Sequence, residues 1–296
     1  MSGAAVTVIV AGWNIAPYAD DALTSLRAQT REDWRAILVD DGSDDGTGAD
    51  FDGFAALDAR FTVVHHPERR GLGAARNAGL ERIDTPFVGF LDADDVMEPD
   101  ALALLVGALE RSGSDIAVGA YRRLRPATHG YLLGDVQPWV AASTAPPRAG
   151  ATLAEHPKVV NNIVAWSKVT RAEMWRGLRF PAGLYEDQLI AQELYTRARR
   201  IDTVADPVVR WRVRPDGSSI TQGEARIEVL RAVLAAMRAG LEVLRERGPE
   251  AAVLARASTI LGMDVPRLGG HALDHPDPAY PAELEAFRRE VAALLP

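Results

Sequence analysis

The first 120 residues alternate short β-branched apolar runs with amphipathic helical stretches, and that alternation commits the chain to βαβ units around a mostly parallel sheet. The runs are residues 6–10, 35–39, 61–65, 87–91 and 115–120. Between them, residues 17–29 carry Leu23 and Leu26 on one face, 72–83 are rich in alanine, and 99–111 open on a proline and close near Gly113. Each parallel crossover is right-handed. The expected class is therefore α/β, with a Rossmann-like sheet flanked by helices. At 296 residues the chain buries about three quarters of its unfolded surface, so it needs no disulfide staple.

The second half is less regular. Residues 121–158 are rich in Pro, Gly and Ala around Pro146 and Pro147, which predicts a long irregular connection or an inserted hairpin. A helix is expected over 186–200, with strands over 201–205 and 208–213. Ile227, Leu230, Leu234, Met237, Leu241 and Leu244 recur at helical spacing, and a further helix is expected over 282–294. The pattern points to one domain over residues 1–222, with halves of about 1–120 and 121–222, followed by a helical extension, 223–296. The amphipathic extension is expected to cap the core or to form a homodimer contact.

Composition excludes several functions. The 33 Lys and Arg against 41 Asp and Glu leave a net charge of -8, the wrong sign for a general nucleic-acid binder. With no cysteine there is no disulfide, thiolate metal site or Cys nucleophile. No stretch approaches 18 uninterrupted apolar residues, and the first residues lack a basic leader, so a cytosolic or peripherally membrane-associated protein without a spanning helix is expected.

In an open α/β sheet, ligands bind at the carboxyl ends of the strands. Here those ends are acidic: Asp40, Asp41, Asp44 and Asp45 follow the second run, and Asp92, Asp94 and Asp95 follow the fourth. Carboxylates gathered at one sheet edge repel unless a cation joins them, and a divalent metal bridging to phosphate answers that need. Residues two apart at a strand end point the same way, so Asp92 and Asp94 can serve metal and hydroxyl together. Taken alone, Asp94 and Asp95 also read as a solvated turn before a helix. Two rival motifs fail. Gly71-x-Gly73-x-x-Arg76 lacks the third glycine of a dinucleotide fingerprint, and the calcium-loop pattern from Asp41 to Asp52 follows a strand rather than a helix.

Six stretches in order carry a family resemblance. Residues 6–14, then Asp40-Asp41-Gly42-Ser43-Asp44-Asp45-Gly46-Thr47, Gly71-Leu72-Gly73-Ala74-Ala75-Arg76-Asn77, Asp92-Ala93-Asp94-Asp95, the pair Trp166-Ser167-Lys168 with Leu184-Tyr185-Glu186-Asp187, and the closing stretch 211–221 resemble family 2 glycosyltransferases of the GT-A fold. The resemblance implies a metal-dependent, inverting transfer from a nucleotide-diphosphate sugar, a UDP-sugar first among them, to a glycan, lipid-linked or small-molecule acceptor.

The same resemblance implies roles. Asp41 would contact the base, with Ala11, Gly12, Trp13 and Asn14 as the pocket wall. The family more often has Pro where Ala11 stands, so this wall departs from its pattern. Arg76 and Asn77 would lie near the nucleotide, Asp92 would bond the ribose, with Ala93 beside it, and Asp94 with Asp92 would hold Mn²⁺ or Mg²⁺. Asp187, beside Glu186, would be the general base, although an acidic pair there also reads as helix capping. Arg210, Arg212 and Arg214 share one strand face. Arg212 and Arg214 would clamp the diphosphate once a loop through Ser218, Ser219 and Thr221 closes. Trp166 would stand on the acceptor side. Transfer of an alditol phosphate, or nucleotide-sugar binding without catalysis, remains open as the alternative.

Overall fold

The computed structural model describes residues 3–215, 217 and 223–296. Its strands are β1 (Val6–Gly12), β2 (Trp34–Asp40), β3 (Phe61–His65), β4 (Phe87–Asp92), β5 (Val96–Met97), β6 (Ile116–Pro126), β7 (Tyr131–Val136), β8 (Arg148–Ala151), β9 (Lys168–Arg171) and β10 (Ile201–Arg212). They form one sheet in the order β3-β2-β1-β4-β9-β6-β10-β5, with β7 on β6 and β8 on β10. Pairing runs parallel from β3 to β4 and again between β6 and β10, so the sheet is mostly parallel as expected. All seven residues of β1 are buried, because helices cover both faces of the sheet.

The helices are α1 (Ala16–Arg27), α2 (Thr47–Leu57), α3 (Leu72–Leu80), α4 (Ala101–Ser112), α5 (Pro138–Thr144), α6 (Glu186–Arg197), α7 (Ile227–Arg247), α8 (Glu250–Thr259), α9 (Val265–Ala272) and α10 (Ala279–Ala292). Helix α1 buries Ala19, Ala22, Leu23 and Leu26, and α4 buries Leu102, Leu105, Val106 and Leu109. Gly113, with φ 75°, ends α4 in the left-handed conformation that glycine adopts without a Cβ penalty. Helix α3 lies so close to β1 that a Cβ on Gly79 would stand 2.5 Å from Ile9 Cγ2.

Several expectations need correction. Helix α2 has no apolar period to announce it and buries only Thr47 and Phe51. The two expected strands over 201–213 are one, β10, whose interruption at Asp206-Pro207 is a pair of register shifts against β6. Residues 121–158 hold the hairpin reading: β6 runs on to Pro126 and returns as β7, followed by α5 and β8.

Strand β9, unforeseen, runs antiparallel between β4 and β6. Its direction matters, because the residues entering an antiparallel strand lie at the carboxyl ends of its neighbours. Val164 and Trp166 are thereby delivered to the acidic edge. The C-terminal helices enclose a second core, in which Leu230, Leu234, Met237, Ile260, Leu268, Tyr280, Phe287 and Val291 are buried. Among the described residues no helix is long and apolar enough to cross a membrane.

Gly79→Ala should force α3 off β1 and cost about 1–3 kcal/mol by overpacking, read as a lower urea midpoint with an unchanged denaturant slope.

Candidate active site

A cleft of about 440 Å³ opens at the carboxyl ends of β1, β2 and β4. Its walls include Ala11, Trp13, Asn14, Asp41, Arg76, Asp92, Ala93, Asp94, Trp166, Glu186, Asp187 and Arg214, so most of the residues singled out in the sequence meet in one place. Arg212 is absent from that lining.

The acidic loop after β2 is largely satisfied from within. Asp41, 2% exposed, accepts Gly71 N–H at 2.7 Å on one oxygen, and Arg70 N–H at 3.0 Å with His66 Nδ1 at 2.7 Å on the other. It therefore fastens the loop ahead of α3 to the cleft floor. Asp45 accepts from Thr47 and from Ala16 N–H at 3.0 Å; burial pushes its pKa up, yet these bonds hold it below the ordinary carboxylate value. Asn14, with φ 50°, exchanges two hydrogen bonds with Asp44. Trp13 is 39% exposed, and the Arg69 guanidinium lies 3.6 Å from its ring centroid.

The turn after β4 is different. Asp92 Oδ1 accepts Arg76 Nη2 at 2.5 Å, and Arg76 Nη1 donates to Glu186 Oε1 at 2.6 Å. Arg76, 2% exposed, joins the carboxyl end of β4 to the first turn of α6. Asp94 Oδ2 accepts Arg214 Nε at 2.7 Å, and burial raises the Asp94 pKa against that opposing charge.

The three arginines of the closing segment do share a face, and it grips this turn. Arg210 bonds Glu98 at 2.7 Å, while Arg212 reaches Asp94 O and Asp21, and its own N–H bonds Asp95 Oδ1 at 2.7 Å. Arg212 is thus a buried tie beneath the cleft, whereas Arg214 borders it. Ser218, Ser219 and Thr221 lie outside the described residues.

Asn77, expected near the nucleotide, is absent from the cleft lining and instead exchanges two hydrogen bonds of 2.9 Å with the Phe180 backbone behind it, while Gly73 lets Pro181 O approach to 2.5 Å of where a Cβ would stand. These contacts press the 180–187 segment onto α3. Trp166 is buried, edge-on to Tyr121 with ring centroids 4.8 Å apart. Burial, reinforced by Glu186, pushes Asp187 up to about 7 against the pull of Arg76. Lys168 faces the same small apolar cavity as Asp187; its Nζ donates to Asn162 Oδ1 at 3.0 Å and to Val164 O, and burial brings it down to about 7.

Sequence reasoning assigned no role to Lys168 or Tyr185, although both stand in the motifs, and it passed over Arg69, His66 and Glu224. Trp13 beside Asn14 was a visible signal for the first, but nothing near Glu224 marks it. Among the described residues no group of three or more His, Cys, Asp and Glu side chains could by itself enclose a metal ion. The donor set nevertheless fits a hard divalent cation. Asp92 and Asp94 present carboxylate oxygens to the cleft, and Mg²⁺ or Mn²⁺ takes one or two such ligands, with phosphate oxygens and water completing its shell.

The model of the Glycosyl transferase family 2 matches residues 7–148. Glycosyltransferase GlyA of Streptococcus pneumoniae is 29% identical over 213 residues, which is 71% of this chain and 30% of that protein. The chain spans about a third of the length of such curated relatives. Among solved structures, S. aureus TarS 1-349 in complex with UDP-GlcNAc superposes with TM-score 0.66 at 18% identity, covering 98% of this chain and 87% of that one. Mannosyltransferase PcManGT from Pyrobaculum calidifontis, in complex with GDP-Man and Mn²⁺, gives 0.57 at 20% identity, covering 98% and 86%. At such identities the structural likeness shows a shared fold, the GT-A fold expected from the motifs. Over residues 7–148, just under half of its length, the chain thus resembles glycosyl transferase family 2, while the fold it shares with the solved structures extends over nearly the whole chain.

Proposed function

We propose that this protein transfers a sugar from a nucleotide-diphosphate donor, a UDP-sugar first among the candidates, to an acceptor hydroxyl with inversion at the anomeric carbon. The observation that carries the reading is the placement of Asp187. It is an acid held near pKa 7 in the wall of the same cleft that receives Asp92 and Asp94. A general base works best when its pKa lies near the operating pH.

In this reading the nucleoside lies along β1 and β2, between Trp13 and the floor made by Asp41, and the ribose reaches Asp92. Asp92 and Asp94 would hold the divalent cation, which supplies positive charge to the departing diphosphate. Arg214 stands beside Asp94 and adds a guanidinium to the same anionic region. The acceptor enters along Trp166 and Tyr185. Its hydroxyl gives a proton to the Asp187 carboxylate as its oxygen attacks the anomeric carbon, and the bond to the diphosphate oxygen breaks on the opposite face. Atoms and charge balance: the glycoside leaves neutral at that oxygen, and Asp187 later returns its proton to water. Two observations on relatives support the donor class, the UDP-GlcNAc bound to TarS and the GDP-Man with Mn²⁺ bound to PcManGT.

Thermal melting against UDP, GDP, CDP and dTDP, each with Mn²⁺, Mg²⁺ or EDTA, tests the donor site. A matched nucleotide at a hundred times its Kd should add about 2.7 kcal/mol of stability, and the gain should vanish with EDTA. Asp187→Asn should abolish transfer while UDP affinity stays near native; retained transfer would remove Asp187 as the base. Asp94→Ala should weaken nucleotide and metal binding together, seen as a calorimetric Kd that no longer responds to Mn²⁺. Protonated Asp187 cannot accept a proton, so kcat/KM should fall about tenfold per pH unit below pH 7 and level off above it. Release of a glycoside with free nucleoside diphosphate separates this reading from alditol-phosphate transfer.

A further inference from the structure

The C-terminal helices meet the first turn of α6 through a chain of polar groups in which Glu224, Arg256 and Asp264 are buried and Tyr185 is half-buried. Tyr185, immediately ahead of α6, has φ 61°, a region a bulky side chain occupies only when its surroundings hold it there. Its side chain makes no capping bond to the helix. Instead its hydroxyl donates to Glu224 Oε1 at 2.8 Å. Glu224 is a carboxylate 3% exposed. Its other oxygen accepts from Arg267 Nη1 of α9, and its backbone carbonyl accepts the Tyr280 hydroxyl of α10 at 2.8 Å.

The chain continues and returns. Arg267 Nη2 donates to Asp264 Oδ1 at 3.2 Å, and Asp264 sits at the end of a π turn, Ile260–Asp264, between α8 and α9. Such turns insert one residue into a helix and often mark functional positions. Asp264 also pairs with Arg256 at 3.4 Å, and Arg256 Nη2 donates to Gln188 Oε1 at 2.9 Å. The network therefore leaves α6 at residue 185 and rejoins it at residue 188. Glu186 is fastened separately to Arg76. Asp187 lies between these anchors, and among the described residues no hydrogen bond holds its own carboxylate. Two arginines and two carboxylates make up the network's charge, so it is internally balanced and needs no outside ion.

We infer that Tyr185 and Glu224 are positioning residues for Asp187, and that the C-terminal bundle sets, through their hydrogen bond, how the first turn of α6 presents that carboxylate to the cleft. The inference rests on the reading of Asp187 as the base. It gives the C-terminal helices a task in the reaction beyond enclosing their own core.

The test uses the full chain with Tyr185→Phe, Glu224→Gln and both together. Tyr185→Phe keeps the ring and removes only the donor, so the fold should survive. One readout is nucleotide release into water from UDP-GlcNAc and from GDP-mannose. The second is deuterium exchange at the amides of residues 186–189. Tyr185→Phe should lower kcat about tenfold or more while donor KM and UDP affinity stay within about twofold. The double variant should lose no more than its worse single parent, because the two side chains act through one bond. Exchange should quicken at 186–189 and stay native across β4 and α3. A native kcat in Tyr185→Phe, additive losses, or unchanged exchange would each overturn the inference. A native protein that cleaves neither donor and binds no nucleotide would instead overturn the glycosyltransferase reading, and the exchange comparison would still decide whether Tyr185 positions the turn.

Discussion

The site depends on one buried cation. Arg76 rises from α3 between Asp92 of β4 and Glu186 of α6, with a carboxylate at about 2.5 Å on each of two nitrogens. Burial opposes its charge, and Asp92 and Glu186 more than restore it. Removing one partner of such an arrangement leaves the others charged and dry, a loss of about 3–5 kcal/mol where it has been measured in proteins. Because the pair spans residues 92 and 186, it also sets the distance between the phosphate side of the cleft and the proposed base. The neighbouring contacts of Gly73 and Asn77 with residues 180 and 181 hold the same two walls at the same separation.

From that constraint follows the division of labour among the acids. Acidic residues crowd the sheet edge, but most are consumed by the protein itself. Asp40 bonds Ser43 N–H and His65, Asp41 bonds the backbone of 70 and 71 with His66, and Asp45 bonds the start of α1. Asp92, Asp94 and Asp187 remain at the cleft surface. Each has a cation close by: Arg76 beside Asp92, Arg214 beside Asp94, and Arg76 with Lys168 near Asp187. A cation was inferred from the sequence to relieve the crowding. In the folded chain, arginines and backbone amides carry much of that burden, so the proposed metal would join a site already partly neutralised.

Much of this was legible beforehand. The apolar runs in residues 1–120 alternate with helical stretches, the pattern of βαβ units around a parallel sheet, so β1 to β4 and β6 could be placed. The strand-end acids marked the cleft because carboxyl ends of parallel strands point one way, whereas only the family resemblance pointed to the Glu186-Asp187 pair at the start of α6. What escaped were elements without a period. Helix α2 buries two side chains, β5 is two residues long, and the register shifts in β10 conceal its continuity. Arg212 looked equivalent to Arg214 on an alternating strand. Both touch the turn at 94–98, but Arg212 is also enclosed by Asp21 and Tyr131, whereas Arg214 lies against Asp94 at the cleft edge.

The amino-acid sequence by itself determined the parallel α/β framework, the acidic strand ends and the order of the motifs, because local periodicity and strand-end chemistry depend on residues close together in the chain. Tertiary structure alone decided which acids remain at the cleft. It also brought Arg76 to Glu186 across 110 residues and placed Glu224 against Tyr185. Those outcomes depend on burial and on partners distant in sequence, and a carboxylate's chemistry is set by how much water and which charges the fold leaves around it.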